Sequence, residues 1–225
     1  CEITESYLKQ QPPDLTRARL ALDQACAVIA QDNQASEASR ARVLMLEADL
    51  AQAQGDLALQ QRRLLVLLEQ APQYAGLVAN QLQRNFEQAG QAEQLLQRLA
   101  AHYEAHPSLD LFDVLFRLTW SHHGQEAAWA FAQTALEAHP SLLGLERVLA
   151  AQLKQDPHPE GDPDSALASG PIPTALLKRL VSRHTPRFDR YSCRACGFQA
   201  RAHYWQCPGC HGWETYSAKR LEEQI

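Results

Sequence analysis

Four cysteines near the end of the 225-residue chain carry its clearest chemistry: Cys193-Arg-Ala-Cys196 and, after ten intervening residues, Cys207-Pro-Gly-Cys210. A two-residue gap lets one tight turn aim both sulfurs at one ion. Two such turns complete a tetrahedron, with metal–sulfur distances of about 2.3 Å for zinc. Gly197 follows the first pair, where the chain needs a positive φ that glycine takes without penalty. His211 follows the second pair and is among the few side chains that tolerate the same conformation. Pro208 and Gly209 suit the turn between Cys207 and Cys210. Two disulfides are the weaker reading, since a cysteine does not readily bridge a neighbour three residues away. The pattern thus predicts one metal ion per chain, zinc or iron, held by Cys193, Cys196, Cys207 and Cys210. His203 and His211 have suitable ring nitrogens, but four thiolates already close the shell.

A closed four-thiolate zinc site has no vacant position for water, so hydrolytic chemistry is not expected of it. Iron in the same shell would carry one electron. Four thiolates on a divalent ion leave a net charge of −2, which Arg190, Arg194 and Arg201 are positioned to offset. Elsewhere the sequence contains no glycine-rich phosphate loop, no Gly-x-Ser-x-Gly, no His-Glu-x-x-His and no acid–base pairing. No enzyme activity is predicted. His122-His123 reads as a solvated helix end, and His102, His106, His139, His158 and His184 are scattered. Cys26 sits in an apolar helical run and reads as an inert core thiol.

The elements that must position the cysteines are short. Alternation around each pair predicts strands at 190–192 and 202–206, paired as a ribbon within a metal-binding domain at 186–218. A unit of about 30 residues is too small to be held by apolar burial alone, so the metal is expected to supply part of its folding free energy. Seven of the chain's sixteen aromatics lie between Phe188 and Tyr216. Trp205, Trp213 and their neighbours are expected to pack the ribbon onto the preceding helices as a cap.

Those helices follow a repeat. Ala, Leu, Gln, Glu and Arg dominate residues 1–154, with apolar positions three and four apart. Gly55, Gly90 and Gly124 are spaced by 35 and 34 residues, and Pro72, Pro107 and Pro140 by 35 and 33. Ala105-His106-Pro107-Ser108-Leu109 returns literally as Ala138-His139-Pro140-Ser141-Leu142. A period near 34 with mid-unit glycine and terminal proline is that of the tetratricopeptide repeat. A single helical pair cannot bury its apolar face, so the predicted architecture is mainly α, an α-solenoid at 1–154 with its first repeat truncated. Each unit pairs apolar and small positions across its turn: Leu44, Ala48, Leu64 and Leu67, then Leu82, Phe86, Leu95 and Leu99, then Leu115, Leu118, Ala128 and Ala132. Asp14 is expected to cap a helix reaching Ala30, with a polar insertion from Asp32 to Ser39. Residues 155–173 are too rich in proline for helix and read as a linker. The segment 155–185 ends in a helix from Thr174, a possible cap, to His184, with Leu176, Leu177, Leu180 and Val181 as its apolar face.

The net charge of −5 is uneven. Residues 183–220 carry seven basic side chains against two acidic ones, whereas residues 1–182 carry 14 against 22. A basic tip on an acidic body suits nucleic acid, or docking of one part on the other. No window is apolar for the length of a membrane helix. The first residue is Cys rather than Met, and the sequence reads as a piece of a longer chain.

Tyr191-x-Cys193-x-x-Cys196-Gly197-Phe198 and Tyr204-Trp205-x-Cys207-Pro208-x-Cys210-x-x-Trp213, preceded by tetratricopeptide repeats, resemble the lipopolysaccharide assembly protein B family of Gram-negative bacteria. The resemblance implies a rubredoxin-type metal domain packed on the repeats, with the same four cysteines as ligands. It also implies a non-enzymatic adaptor at the cytoplasmic face of the inner membrane, anchored by an N-terminal helix that these residues do not include. Its partners would be a membrane-bound AAA+ protease and the lipid A pathway deacetylase that the protease degrades. Self-association is compatible with the sequence. Two other readings compete. An electron carrier would use rubredoxin-like iron, but the gap between the cysteine pairs is shorter than in redox rubredoxins. A nucleic-acid-binding ribbon would use the basic tip, which the acidic body opposes.

Overall fold

The computed structural model describes residues 1–32, 35–154 and 174–224. The linker read at 155–173 lies outside the described residues. The chain is mainly helical and divides into two compact units, Cys1–His106 and Pro107–Ile225. Among the described residues no helix is long and apolar enough to cross a membrane.

The first unit is a succession of helices, each packed on the next: α1 (Glu2–Leu8), α2 (Leu15–Gln31), α3 (Glu37–Ala53), α4 (Leu57–Gln70), α5 (Ala75–Gln88) and α6 (Ala92–Ala105). The starts of α2, α3 and α4 are set by side-chain caps. Asp14 accepts the Arg17 N–H at 3.0 Å, Ser36 the Ser39 N–H at 2.9 Å and Asp56 the Leu59 N–H at 2.8 Å. The ends of α3 and α5 are set by Gly55 and Gly90, at φ 75° and 69°. There the Asp56 N–H reaches back to Ala51 O at 2.9 Å, and the Gln91 N–H to Phe86 O at 2.8 Å. That six-to-one bond closes a helix through a left-handed residue. The periodic glycines are therefore the turns the repeat requires.

The apolar positions expected in the repeat are buried: Leu44 and Ala48 on α3, Leu64 and Leu67 on α4, Leu82 and Phe86 on α5, Leu95 and Leu99 on α6. Between α4 and α5 the buried Asn85 amide donates to Leu57 O at 3.0 Å and to Gln60 Oε1 at 2.8 Å, pinning the register of the two helices.

Three local expectations are corrected. The polar insertion is shorter than 32–39, because Ser36 already caps α3 and Glu37 to Ser39 are helical. The apolar run of α2 is not all core: Leu22 is buried whereas Leu20 is 62 % exposed. Cys26 is half-buried at the rim rather than in the core, its Sγ 3.9 Å from Glu47 Oε1. Burial and the neighbouring Glu47 carboxylate push its thiol up, so it stays protonated.

The second unit holds α7 (Leu109–Ala138), α8 (Leu142–Leu153) and α9 (Thr174–His184), followed by the cysteine-bearing ribbon. Gly124, at φ 87° and ψ 178°, breaks α7 into two arms. Phe112 stacks on Phe131 at 5.7 Å and Trp129 meets both Phe116, at 5.6 Å, and Trp120, at 5.4 Å. This aromatic cluster, with Leu115, Leu118, Ala128 and Ala132 buried beside it, is the hairpin predicted around Gly124. Thr174 is the first residue of α9 rather than its cap, and of the expected apolar face only Val181 is fully buried.

Gly55 tests the turn assignment without a steric complication, since a methyl group added at that position would meet nothing within 4 Å. Gly55→Ala is expected to cost about 1 kcal/mol, all of it from the left-handed backbone. Urea unfolding should show a lower midpoint at unchanged slope, and an unchanged midpoint would contradict the assignment.

Candidate metal centre

Each cysteine pair sits in a turn of the same construction. In the first, the Gly197 N–H returns to Cys193 O at 2.9 Å and the Cys193 N–H donates to Phe198 O at 2.9 Å. In the second, the His211 N–H returns to Cys207 O and the Cys207 N–H donates to Gly212 O, both at 2.9 Å. Gly197 has φ 75° and His211 φ 59°, the positive values expected of the residues after each pair. Glycine suits position 209, because a Cβ there would stand 3.2 Å from the Phe198 side chain and would push that exposed ring outward by a few tenths of an ångström.

The first turn is flanked by β1 (Tyr191–Ser192) and β2 (Gln199–Ala200), antiparallel with Tyr191 opposite Ala200. This corrects the strand expected at 202–206. The tight turn at Gly197 sends the chain straight back on β1, so β2 forms before residue 202 is reached. Of the expected stretch only Gln206 pairs, with Trp213, in an isolated bridge. A second bridge joins Cys193 to Tyr216, and the Arg194 N–H donates to Thr215 O at 2.7 Å. The two turns are thereby laid face to face.

The result brings the predicted cysteines together. Cys193 Sγ lies 3.8 Å from Cys210 Sγ, and Cys196 Sγ lies 3.6 Å from Cys207 Sγ. All four sulfurs fall within 4.8 Å of one another. A regular tetrahedron with 2.3 Å metal–sulfur bonds has sulfurs about 3.8 Å apart, so the donor set could close on a zinc- or iron-sized ion by side-chain shifts of about 1 Å or less. Cys193 and Cys207 are buried, at 2 % and 0 % exposure, whereas Cys196 and Cys210 are exposed. The Gly209 N–H points at Cys207 Sγ from 3.3 Å, and the Thr215 hydroxyl stands 3.2 Å from Cys193 Sγ.

Four sulfurs this close do not ionise together without a cation. The Thr215 hydrogen bond holds the Cys193 thiol down at about 6. A backbone contact at Phe198 favours the Cys196 thiolate, yet desolvation and the other three sulfurs push that thiol up to about 12. A divalent ion would release this opposition by favouring every thiolate at once.

His203 is not among the clustered donors. Its ring lies edge-on to Tyr191, Trp205 and Tyr216 at 5.8, 4.9 and 6.1 Å, and desolvation brings its pKa down to about 4. The aromatic expectation is met only in part. Tyr191 and Tyr216 are buried, but Phe198, Tyr204 and Trp213 remain exposed, Trp213 by 45 %. Arg194 and Arg201 are exposed as well.

The residue that fastens the ribbon is one the sequence did not single out. Arg220 donates to Asp189 at 2.7 Å and to Asp110 on the first turn of α7 at 3.0 Å, with its guanidinium 4.8 Å above the Tyr191 ring. The Tyr191 hydroxyl donates to the other oxygen of Asp110 at 3.2 Å. Burial opposes the charge on Arg220, but Asp110, Tyr191 and Asp189 outweigh it and hold its pKa above the ordinary value. No spacing rule links residues 110, 189, 191 and 220; only the fold assembles them.

Residues 191–217 match the family model described as the rubredoxin metal binding domain. Over 96 % of its length the chain is 24 % identical to lipopolysaccharide assembly protein B of Escherichia coli K12, covering 50 % of that protein. It is 25 % identical to the protein of the same name from Haemophilus influenzae, again over 96 % of this chain and covering 49 % of the relative. The chain is similar to lipopolysaccharide assembly protein B. The family resemblance read from the repeats and the cysteine–aromatic pattern is supported along nearly the whole sequence. The chain spans about half the length of the curated relatives it matches.

Two outcomes follow. Arg220→Met leaves Asp110, only 14 % exposed, without its closest cation and should destabilise the second unit by about 3 kcal/mol. Thermal unfolding measures the loss, and a change below about 1 kcal/mol would show that the clamp is idle. His203, brought down to about 4 in the fold, binds its proton far more readily when unfolded, where it titrates near 6.5. Its contribution to stability is therefore complete above about pH 6.5 and lost as pH falls towards 4, a difference of about 3 kcal/mol. His203→Phe should flatten that part of the stability–pH curve relative to wild type. Parallel curves would refute it.

Proposed function

We propose that Cys193, Cys196, Cys207 and Cys210 hold one structural metal ion, and that the ribbon at 186–218 is a fixed cap on a helical scaffold that binds other proteins. The observation that carries this reading is the convergence of the four sulfurs within 4.8 Å of one another in a stretch that matches the rubredoxin metal binding domain. Such an ion would cross-link two turns that have little apolar core of their own. With four protein ligands the shell has no position for substrate, so the ion would organise rather than catalyse. The helices of residues 1–154, taken as tetratricopeptide repeats, would supply the surfaces that partner proteins bind.

The biological role we infer is that of a non-enzymatic adaptor in lipopolysaccharide assembly. This rests on the relatives of that name, which match 96 % of the chain. In the finer form of the reading, the full-length protein sits at the cytoplasmic face of the inner membrane. There it would present the lipid A pathway deacetylase to a membrane-bound AAA+ protease. Depleting the full-length protein from cells should lengthen the half-life of the deacetylase, and both partners should be retained on the tagged protein. An unchanged half-life would sink the adaptor reading while leaving the metal site untouched.

One observation favours electron transfer as a second reading: Cys196 and Cys210 place two of the four sulfurs at the surface, where an electron could enter. The basic tip gives less support to nucleic-acid binding, because Arg220 is consumed by Asp110 and Asp189. Metal analysis and visible absorption separate the first two readings. The structural reading expects one equivalent of zinc and no redox-active band; iron with a reversible thiolate charge-transfer band would favour the second. Cys193→Ser should lose most of the bound metal in either case, and should lower the midpoint of ribbon unfolding. Retention of a full equivalent would refute the four-thiolate shell.

A further inference from the structure

The phrase that repeats in the sequence does something beyond marking the period. In both copies the proline is followed by a serine that caps the next helix. Ser108 Oγ accepts the Leu111 N–H at 3.3 Å at the start of α7, and Ser141 Oγ accepts the Gly144 N–H at 2.8 Å at the start of α8. A serine cap satisfies one amide and leaves those nearer the terminus open. Two consecutive glutamates at the end of the chain fill these places. Glu223 Oε1 accepts the Leu109 N–H at 2.8 Å. Glu222 accepts the Leu142 N–H at 2.6 Å, the Leu143 N–H at 3.2 Å and the Ser141 hydroxyl at 2.7 Å. Each copy of Pro-Ser-Leu thus receives one carboxylate, and both carboxylates sit at the positive ends of helix dipoles.

The segment that delivers them runs directly out of the cysteine cluster. Thr215 hydrogen-bonds Cys193 Sγ through its side chain and Arg194 through its carbonyl, and Tyr216 bridges Cys193. Further along, the Leu221 N–H donates to Arg190 O at 2.7 Å, just ahead of β1. Glu222 and Glu223 follow in a 3-10 turn, Leu221–Gln224.

We propose that residues 215–224 act as a strap that makes the first turns of α7 and α8 depend on the state of the cysteine cluster. With the ion bound, the strap is held against Cys193 and both glutamates seat on their helices. When the ion leaves, the turn carrying Cys193 loosens. Arg220 keeps its hold on Asp110 and Asp189, but the two glutamates beyond it lose their fixed seating. Both helix starts then lose their carboxylates together, while Ser108 and Ser141 stay in place. This rests on the proposed four-cysteine metal site. It provides a route by which metal loading alters the repeat helices themselves.

Hydrogen exchange on the full chain, followed by mass spectrometry, tests the proposal in four samples: wild type and Glu222→Ala/Glu223→Ala, each metal-loaded and metal-stripped, with metal content measured on every one. Stripping wild type should speed exchange about fivefold in peptides covering 108–112 and 141–145, the loss expected for a helix start without its carboxylate. Peptides from 125–138 should be unchanged. The metal-loaded double variant should already exchange at the faster rate, and stripping it should add nothing at these two places. The strap is refuted if stripping speeds exchange in 191–217 while both helix starts stay slow. It is equally refuted if the double variant matches wild type, or if stripping speeds exchange throughout residues 107–154. If wild type takes up no metal, the metal-site reading fails and the coupling falls with it; the double variant then reports on the caps alone.

Discussion

The second unit depends on one guanidinium. Asp110 lies on the first turn of α7, where a carboxylate is welcome to the helix dipole but, at 14 % exposure, poorly served by water. Arg220 supplies the missing cation, and Arg147 approaches the same oxygen from 3.9 Å. Because Arg220 also binds Asp189 and covers the Tyr191 ring, the pairing joins a helix, the entry to β1 and the C-terminal segment at one point. Such a contact is costly to half-remove, since either partner left alone keeps the desolvation penalty without the attraction. It therefore specifies where the ribbon sits more than it adds to overall stability.

The ribbon itself is a different kind of object. Its strands are two residues long, its second pairing consists of isolated bridges, and three of its aromatics remain in solvent. Little apolar burial holds the two cysteine turns together. What holds them in place is backbone hydrogen bonding inside each turn, with the Cys193–Tyr216 bridge and the Arg194–Thr215 bond laying one on the other. A cation where the sulfurs converge would replace thiol–thiol opposition with four charge-assisted bonds, and that exchange is the natural source of its missing cohesion. The clamp at Arg220 and the cluster at Cys193 thus act at opposite ends of β1, one setting position and the other internal order.

Features governed by local rules were legible in the sequence, and features governed by assembly were not. Gly55, Gly90, Gly124 and Gly197 all take the positive φ that their places in the pattern demanded, as does His211. The repeat's apolar positions are core, and the cysteines converge. The strand at 202–206 was misplaced because alternation along a short aromatic stretch carries less information than the tight turn before it, which had already committed residues 199–200 to β1. In the sequence Arg220 reads only as part of a basic tip. Its partners lie 31 and 110 residues away, and no periodicity or motif connects positions so far apart. The half-exposed aromatics are hard to place for a related reason: composition shows that apolar surface exists, not which face of a ring is buried.

The repeated phrase belongs to both classes at once. Its proline and spacing are explained by the repeat, since a proline shortly past a helix end stops one helix and introduces the next. That account requires neither the serine nor its literal recurrence. The capping geometry explains the serine, and the paired glutamates explain why two helix starts, 33 residues apart, present the same unsatisfied amides to one short segment. Ser108 and Ser141 already supply the local caps of α7 and α8, and the glutamates add only the amides nearest each terminus, at the cost of closing a long loop. Drawing both carboxylates from a segment tied to Cys193 makes sense when the two helix starts and the cysteine cluster are required to form as one.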